Sequence, residues 1–352
     1  MVDTADKVRL VIVGYGGMGG HHSERLKNNS LYTIKGVYDI DPARGEAARK
    51  NGLKAYASYE EVCADKTVDA VLIATPNDLH PFYVGIFAAA GKNIVCEKPA
   101  ANTSAEFEGM IAAAEKHKTV LTVHQNRRWD KDFITVRRVM DSGILGKALR
   151  VESRVTGGNG IPGGWRKLKK HGGGMMLDWG VHLIDQLCRL TSSPIGRLYC
   201  DYSYRQGHEC EDGFELEMTF KNGLSAHVTV TTDSYLPQPR WFLYGQKGSA
   251  TVTDWDCRGR IAVKREYDGE IKGIAAGNGF TKTMADLPDA AVAGYDLPDV
   301  ETDYDRFYNN FAAACARREQ SEVKNAEVLR VLKIMEAAKR SFEERAVICE
   351  GL

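Results

Sequence analysis

Asp178 and His182 stand four residues apart in the stretch GGGMMLDWGVHLID, Gly172 to Asp185. On a helix that spacing puts both on one face with Asp185, while Leu177, Val181, Ile184 and Cys188 mark the neighbouring apolar stripe. An imidazole titrates near neutrality, and a carboxylate beside it orients the ring or binds an adjacent hydroxyl, and makes the ring more basic. That combination is a general base of the kind the oxidation of a carbinol requires. The plainer alternative is an aspartate favoured by the helix dipole and a histidine satisfied by a local hydrogen bond. Lys98 supplies a complementary group. It stands where the β-rich run NIVCEKP gives out, and an ammonium there can hydrogen-bond a substrate hydroxyl and stabilise the alkoxide that develops as hydride leaves. Taken alone, Lys98 reads as a solvated surface charge. Pro99 fixes the backbone after it, and a cis Lys98–Pro99 bond costs only about 0.5–1 kcal/mol. Glycines 172–174 allow their loop to pass close to a bound ligand.

The elements that must hold these groups begin with VRLVIV, Val8–Val13, which runs into GYGGMG and then an amphipathic helix. Gly14, Gly16 and Gly19 make GxGxxG: a tight turn, a backbone approach to a pyrophosphate, and a close helix–strand contact. Such a turn can also be only a turn. Its context is a second strand, YTIKGVYD, ending in Asp39 twenty residues after Gly19, where a carboxylate can accept both hydroxyls of an adenosine ribose. A 2′-phosphate there would meet like charge, and Ile40 offers no cation, so NAD is expected over NADP. Arg44 dissents, and reads as a solvated helix residue. DAVLIAT, NIVCEK and TVLTVH continue the alternation of strand and helix, which means a parallel sheet covered on both faces. Ligands of such sheets sit at the strand carboxyl ends, so chemistry is expected at the glycine turn, Asp39, TPND (Thr75–Asp78) and EKP (Glu97–Pro99).

The motifs GYGGMGGHH, ATPNDLH, CEKPAA and GGGMMLDWGVHLID, in this order and spacing, resemble the glucose-fructose oxidoreductase, inositol dehydrogenase and rhizopine catabolism family, Gfo/Idh/MocA, over nearly the whole chain. The resemblance implies an α/β fold: an N-terminal Rossmann doubly wound parallel sheet plus a C-terminal α+β domain with a large open, mostly antiparallel sheet. It implies NAD(P) chemistry on a secondary hydroxyl of a sugar, glycoside or inositol, with oxidation at C3 of a glucoside as one specific case. It carries Lys98, Asp178 and His182 over as a catalytic trio. Gly14, Gly16, Gly17, Met18, Gly19, Asp39, Thr75, Pro76, Asn77, His80, Glu97 and Lys98 would line NAD. On this reading His182 takes the hydroxyl proton and Lys98 polarises the same oxygen. Some relatives instead keep NAD resident and cleave a glycosidic bond by transient oxidation, an alternative that a non-exchanging cofactor would mark. A non-catalytic dinucleotide sensor is disfavoured by the retained trio.

Domain limits are expected at residues 1–124 for the NAD-binding half and 125–352 for the substrate-binding and oligomerisation half. FELEMTF alternates Leu216, Met218 and Phe220 with Glu215, Glu217 and Thr219, Asn222–Gly223 is a hairpin turn, and two helices close the chain. The second face of that sheet is expected to meet another subunit, as is usual in the family. Residues 268–302 show no period and read as a functional or a flexible loop. Arg127, Trp129, Trp165 and Arg166 are candidate substrate contacts, since aromatics stack on sugar faces and arginines bind hydroxyls or carboxylates. RKLKKH, Arg166–His171, reads as a solvated loop.

Composition narrows the partners. The 352 residues carry 47 basic and 47 acidic side chains, so no global field draws the protein to nucleic acid or an anionic membrane, and a small-molecule partner is expected. The eight cysteines are scattered outside any CxxC pair and read as reduced, mostly buried thiols. The first residues lack a basic region followed by an apolar core, and no apolar run reaches membrane-spanning length, so a cytoplasmic protein is expected. No metal-ligand spacing emerges among the nine histidines.

Overall fold

The structure is a computed structural model that describes residues 7–349; residues 1–6, part of the N-terminal reading above, lie outside it. The first half is built as strand and helix in turn: β1 (Val8–Val13), α1 (Gly17–Leu26), β2 (Tyr32–Tyr38), α2 (Pro42–Lys50), α3 (Tyr59–Ala64), β3 (Ala70–Ile73), α4 (His80–Ala89), β4 (Asn93–Cys96), α5 (Ser104–Lys116) and β5 (Leu121–Val123). The five strands lie in the order β2-β1-β3-β4-β5, and every pairing is parallel. Their apolar runs are sealed from water on both faces, as Val11, Ile12, Val71, Leu72 and Ile94 show.

Register does the positioning. Val13 is level with Tyr38 on one side and Ile73 on the other, so Gly14, Asp39 and Ala74 leave the sheet together. Ile73 is level with Cys96, and Cys96 with Val123, which brings Glu97 and His124 to the same edge. The carboxyl ends of all five strands therefore form one rim, with the switch in strand order beside β1.

The second half begins with α6 (Lys131–Asp141) and β6 (Ala148–Thr156) and continues through α7 (Val181–Leu190). Strands β7 (Ile195–Ser203), β8 (Gly213–Phe220), β9 (Ser225–Thr231), β10 (Trp241–Gly245), β11 (Gly248–Val252) and β12 (Gly259–Lys264) follow, then a small ribbon of β13 (Ile274–Ala275) and β14 (Thr281–Lys282). β15 (Val292–Tyr295), α8 (Arg306–Cys315) and α9 (Asn325–Glu344) close the chain. The large sheet runs β15-β12-β11-β10-β6-β9-β8-β7 and is antiparallel except between β6 and β9. Leu216, Met218 and Phe220 are buried while Glu215 and Glu217 face outward, as the alternation in the sequence requires. The fold expected from the sequence is the fold found.

Residues 268–302 are not wholly loop. Val292–Tyr295 pair with β12 and form an edge of the large sheet, a four-residue strand too short to show a period. The eight cysteines are free thiols, but only Cys96, Cys200 and Cys210 are fully buried; Cys349 is exposed and the rest are half-buried. No helix among the described residues is long and apolar enough to cross a membrane.

Candidate active site

One large cavity, about 690 Å³, lies along the rim of the parallel sheet, within the range of small-molecule and cofactor sites. At one end Asp39 closes the turn after β2: its Oδ2 accepts the Tyr15 N–H at 2.6 Å and its Oδ1 accepts the Asp41 N–H at 2.8 Å. The rest of this end is apolar, lined by Ile40, Tyr38, Tyr59, Leu79 and Phe82. Sequence reasoning missed these aromatics, because they come from β2, α3 and α4 and share no local pattern. Arg44 stays solvated, its guanidinium 4.0 Å from Asp41.

The glycine turn forms the middle of the cavity. A Cβ on Gly19 would lie 1.9 Å from the carbonyl oxygen of Gly14, so α1 can approach β1 only with glycine there. Gly16 and Gly17 face open space, and α1 begins at Gly16 without a side-chain cap. Uncapped N–H groups at a helix start make an anion site. An uncapped helix start, room for backbone approach and a carboxylate level with it fit a dinucleotide, whose pyrophosphate Gly16–Met18 would hold and whose adenosine ribose Asp39 would hold. Gly14, Gly16, Gly17, Met18, Asp39, Thr75, Pro76, Asn77, Glu97 and Lys98 all line the cavity; Gly19 acts through packing.

His80 corrects the expectation. It is fully buried and does not line the cavity. Its Nδ1 lies 3.0 Å from the Pro99 carbonyl and its Nε2 3.1 Å from the Thr75 carbonyl; a neutral ring donates to one of the two, wedged between the TPND and EKP loops. Burial lowers its pKa.

The far end of the cavity holds Lys98, next to Pro99 on a cis bond, with Trp165, Arg166, Gly172, Gly174 and Asp178. The Lys98 Nζ donates to the Asp178 carbonyl at 2.9 Å and to its Oδ1 at 3.0 Å. Arg166 Nε donates to the same Oδ1 at 3.4 Å, and its guanidinium sits 4.8 Å from the Trp165 ring centre. Burial would raise the Asp178 carboxyl, but the charges of Lys98 and Arg166 outweigh it and hold the group below its ordinary value. The glycine loop is locked to the parallel-sheet half. Gly172 has φ +71° and accepts a hydrogen bond from Asn77 Nδ2 at 2.9 Å, and a Cβ there would lie 1.9 Å from Asn102 Oδ1.

The Asp178–His182 relationship differs from the expected one. Residues Met176–Gly180 form a single π-helical turn before α7, a feature frequent at functional sites. No hydrogen bond joins Asp178 to His182, because the carboxylate is taken by Lys98 and Arg166. His182 is buried behind them and outside the cavity lining, with no hydrogen-bond partner for Nδ1. It is not made more basic: burial first, then the charges of Lys98 and Arg127, put its pKa well below the usual imidazole value. Nor do apolar and polar stripes separate on α7, whose residues 181–187 are all buried. Asp185 is a structural group, accepting from Arg128 at 2.5 and 2.7 Å.

The substrate candidates divide. Trp165 and Arg166 line the cavity. Arg127 lies outside it, its guanidinium 4.4 Å from the Trp179 ring centre and 5.0 Å from that of Trp255, with Nη1 donating to Asp130 at 2.7 Å. Trp129 is a core residue packed edge-on to Phe307 at 6.1 Å, and cannot stack on a ligand in this cavity. Its apolar bulk follows the 3₁₀ turn Asn126–Trp129 inward. Sequence spacing also missed the convergence of His22, Glu97 and His124, which come from three separate elements.

A parallel sheet with a dinucleotide cradle, joined to a sheet domain that brings a carboxylate onto a strand-end lysine, defines a two-domain oxidoreductase. The profile of the oxidoreductase family with an NAD-binding Rossmann fold, GFO/IDH/MocA, matches residues 8–125, and that of the GFO/IDH/MocA C-terminal domain matches residues 133–251. A crystal structure of an NAD-binding protein from Listeria innocua superposes with a TM-score of 0.95 at 42% identity, covering 98% of this chain and 100% of that one. The myo-inositol 2-dehydrogenase of Thermotoga maritima is 31% identical over 253 residues, 68% of this chain and 74% of that protein. The scyllo-inositol 2-dehydrogenase (NADP(+)) of Bacillus subtilis is 26% identical over 361 residues, covering 97% and 96%. The chain belongs to the Gfo/Idh/MocA family and is an NAD-binding oxidoreductase.

Proposed function

We propose that this enzyme is an NAD-linked dehydrogenase oxidising a secondary hydroxyl of a polyol, a cyclitol or the pyranose ring of a sugar or glycoside, C3 of a glucoside included. The observation that carries this reading is the meeting of Lys98 with Asp178 at the cavity end opposite Asp39. The bound dinucleotide supplies the hydride acceptor. Lys98 Nζ donates a hydrogen bond to the substrate oxygen and stabilises its negative charge as the proton leaves. His182, neutral at pH 7 because its pKa is depressed, accepts that proton at the unpartnered Nδ1 once substrate displaces Asp178 from Lys98 and opens the way to the buried ring. Asp178, kept ionised by Lys98 and Arg166, receives a neighbouring hydroxyl when substrate takes its place on Lys98. The stacked Trp165 and Arg166 offer a flat face and donors that suit a ring rich in hydroxyls.

Support for a polyol comes also from relatives named as inositol dehydrogenases. NAD is favoured over NADP by the Asp39 carboxylate and by the absence of Arg44 from the cavity lining, although one such relative is named for NADP(+). The outward face of the large sheet, with Leu149, Tyr199 and Tyr244 exposed, favours assembly of several copies through it. The glycosidase reading gains no support from named relatives and is not carried further. The test is a panel of inositols, aldoses and glucosides with NAD⁺ or NADP⁺, followed by absorbance of reduced nicotinamide. Sustained NADH formation on one class, with NADP⁺ poor, is expected; consumption of a glycoside without free NADH would contradict the reading.

A further inference from the structure

Behind Lys98 lies a polar network that the proposed reaction does not use. Glu97 is buried where β4 leaves the sheet, yet it lines the cavity at the Lys98 end. Three N–H groups surround its carboxylate: His22 Nε2 and His124 Nδ1 each lie 2.7 Å from Oε1, and the Lys98 backbone N–H donates to Oε2 at 3.0 Å. The network extends from His22 Nδ1 to the Tyr308 hydroxyl at 2.7 Å, and the Tyr32 hydroxyl donates to the Tyr308 carbonyl at 2.5 Å. It joins α1, β2, the ends of β4 and β5, and α8.

An ionised carboxylate only accepts, so both imidazoles must present N–H to it, and a neutral His22 then accepts from Tyr308 at Nδ1. That assignment satisfies each of these contacts. Burial opposes ionisation of Glu97, but the two imidazoles overcome it and hold its pKa well below the ordinary range. With ribose at Asp39 and pyrophosphate at the glycine turn, the Glu97 end of the cavity is the nicotinamide end. The oxidised nicotinamide ring is cationic and the reduced one neutral.

We propose that His22 and His124 are positioning residues that hold Glu97 as a fixed negative charge at the nicotinamide end, so that the enzyme binds the oxidised dinucleotide more tightly than the reduced one. In a partly desolvated site one such charge near the ring would change the preference by about tenfold or more.

Calorimetry of NAD⁺ and NADH binding tests this, because a ratio of dissociation constants is not moved by simple loosening of the site. Glu97→Gln should lower the preference for NAD⁺ about tenfold, chiefly by weakening NAD⁺. His124→Leu and His22→Leu should move the ratio the same way by less, while His124→Asn and His22→Gln, which keep a donor near the lost N–H, should restore it. If the leucine variants do not fold, Glu97→Gln against the two donor-retaining variants still decides. Parallel weakening of both ligands, or an unchanged ratio in Glu97→Gln, overturns the proposal. So does stoichiometric zinc in the purified protein that Glu97→Gln loses, since the three donor atoms lie within 4.8 Å of one another and would then be metal ligands.

Discussion

Lys98 holds Asp178 by two contacts at once, one to its backbone carbonyl and one to its carboxylate, across the junction of the two sheets. The first ties the π-helical turn to the end of β4. On the proposed reading the second occupies the place the substrate hydroxyl takes, so binding exchanges one acceptor on the ammonium for another. Lys98→Met removes the charge and both contacts at similar length. Turnover should fall at least about a hundredfold, the scale of a single positioned donor or acid–base group. Affinity for NAD⁺ should change far less, and calorimetry beside steady-state rates separates the two.

On the proposed reading, Asp39 sets the choice of dinucleotide through like-charge repulsion of a 2′-phosphate. Asp39→Ser keeps an acceptor for the Tyr15 N–H but removes the charge. The ratio of kcat/KM for NAD⁺ over NADP⁺ should drop by about tenfold or more, mostly through KM.

Buried imidazoles give the fold a defined pH dependence. His22, His80 and His182 all have pKa values lowered from 6.5, with burial the first cause in each. The unfolded chain therefore binds protons that the folded chain refuses as pH falls through 6.5, and stability is lost toward acid. Denaturant midpoints should rise from about pH 5 to about pH 6.5 and then level off as far as these groups decide. His182→Gln should flatten part of that slope. In the oxidation direction the same depression keeps His182 neutral, so its acid limb in kcat/KM should lie below the usual imidazole range.

Arg128 and Asp185 share a buried bidentate pair, with Glu327 on the other arm of the guanidinium. Arg128→Leu leaves the Asp185 carboxylate buried without its cation, which should cost about 3–5 kcal/mol in a denaturant titration. Asp185 thus belongs to stability although it shares the sequence pattern of Asp178 and His182.

Much of this was legible in the sequence because it is local. The glycine turn, Asp39 after β2 and Lys98 after β4 are each fixed by a strand end, and strand ends are visible as β-rich runs stopping at glycine, aspartate or proline. The alternation of FELEMTF gave the buried face of the large sheet for the same reason. What escaped depends on partners distant in the chain. Helical spacing suggested Asp178 beside His182 on one face, orienting its ring or binding a hydroxyl, but Lys98 and Arg166 claim the carboxylate from elsewhere, and a π-turn replaces the expected α-turn. Trp129 and His80 carry suitable side chains at suitable positions, yet packing turns one into the core and wedges the other between two loops beside the Pro99 and Thr75 carbonyls. The network around Glu97 joins residues up to 286 positions apart, from His22 to Tyr308, and leaves no spacing to read.

The most direct measurement follows the hydride itself. Inositols and glucosides deuterated at their ring carbinol carbons would be incubated with the enzyme and NAD⁺, and the NADH released would be weighed by mass spectrometry. One deuteron per NADH formed, with multiple turnovers per enzyme and loss of the signal in His182→Ala at retained NAD⁺ affinity, is the expected result. NADH without deuterium, or no reduction of NAD⁺ by any member of the panel, would contradict a polyol dehydrogenase built on Lys98, Asp178 and His182.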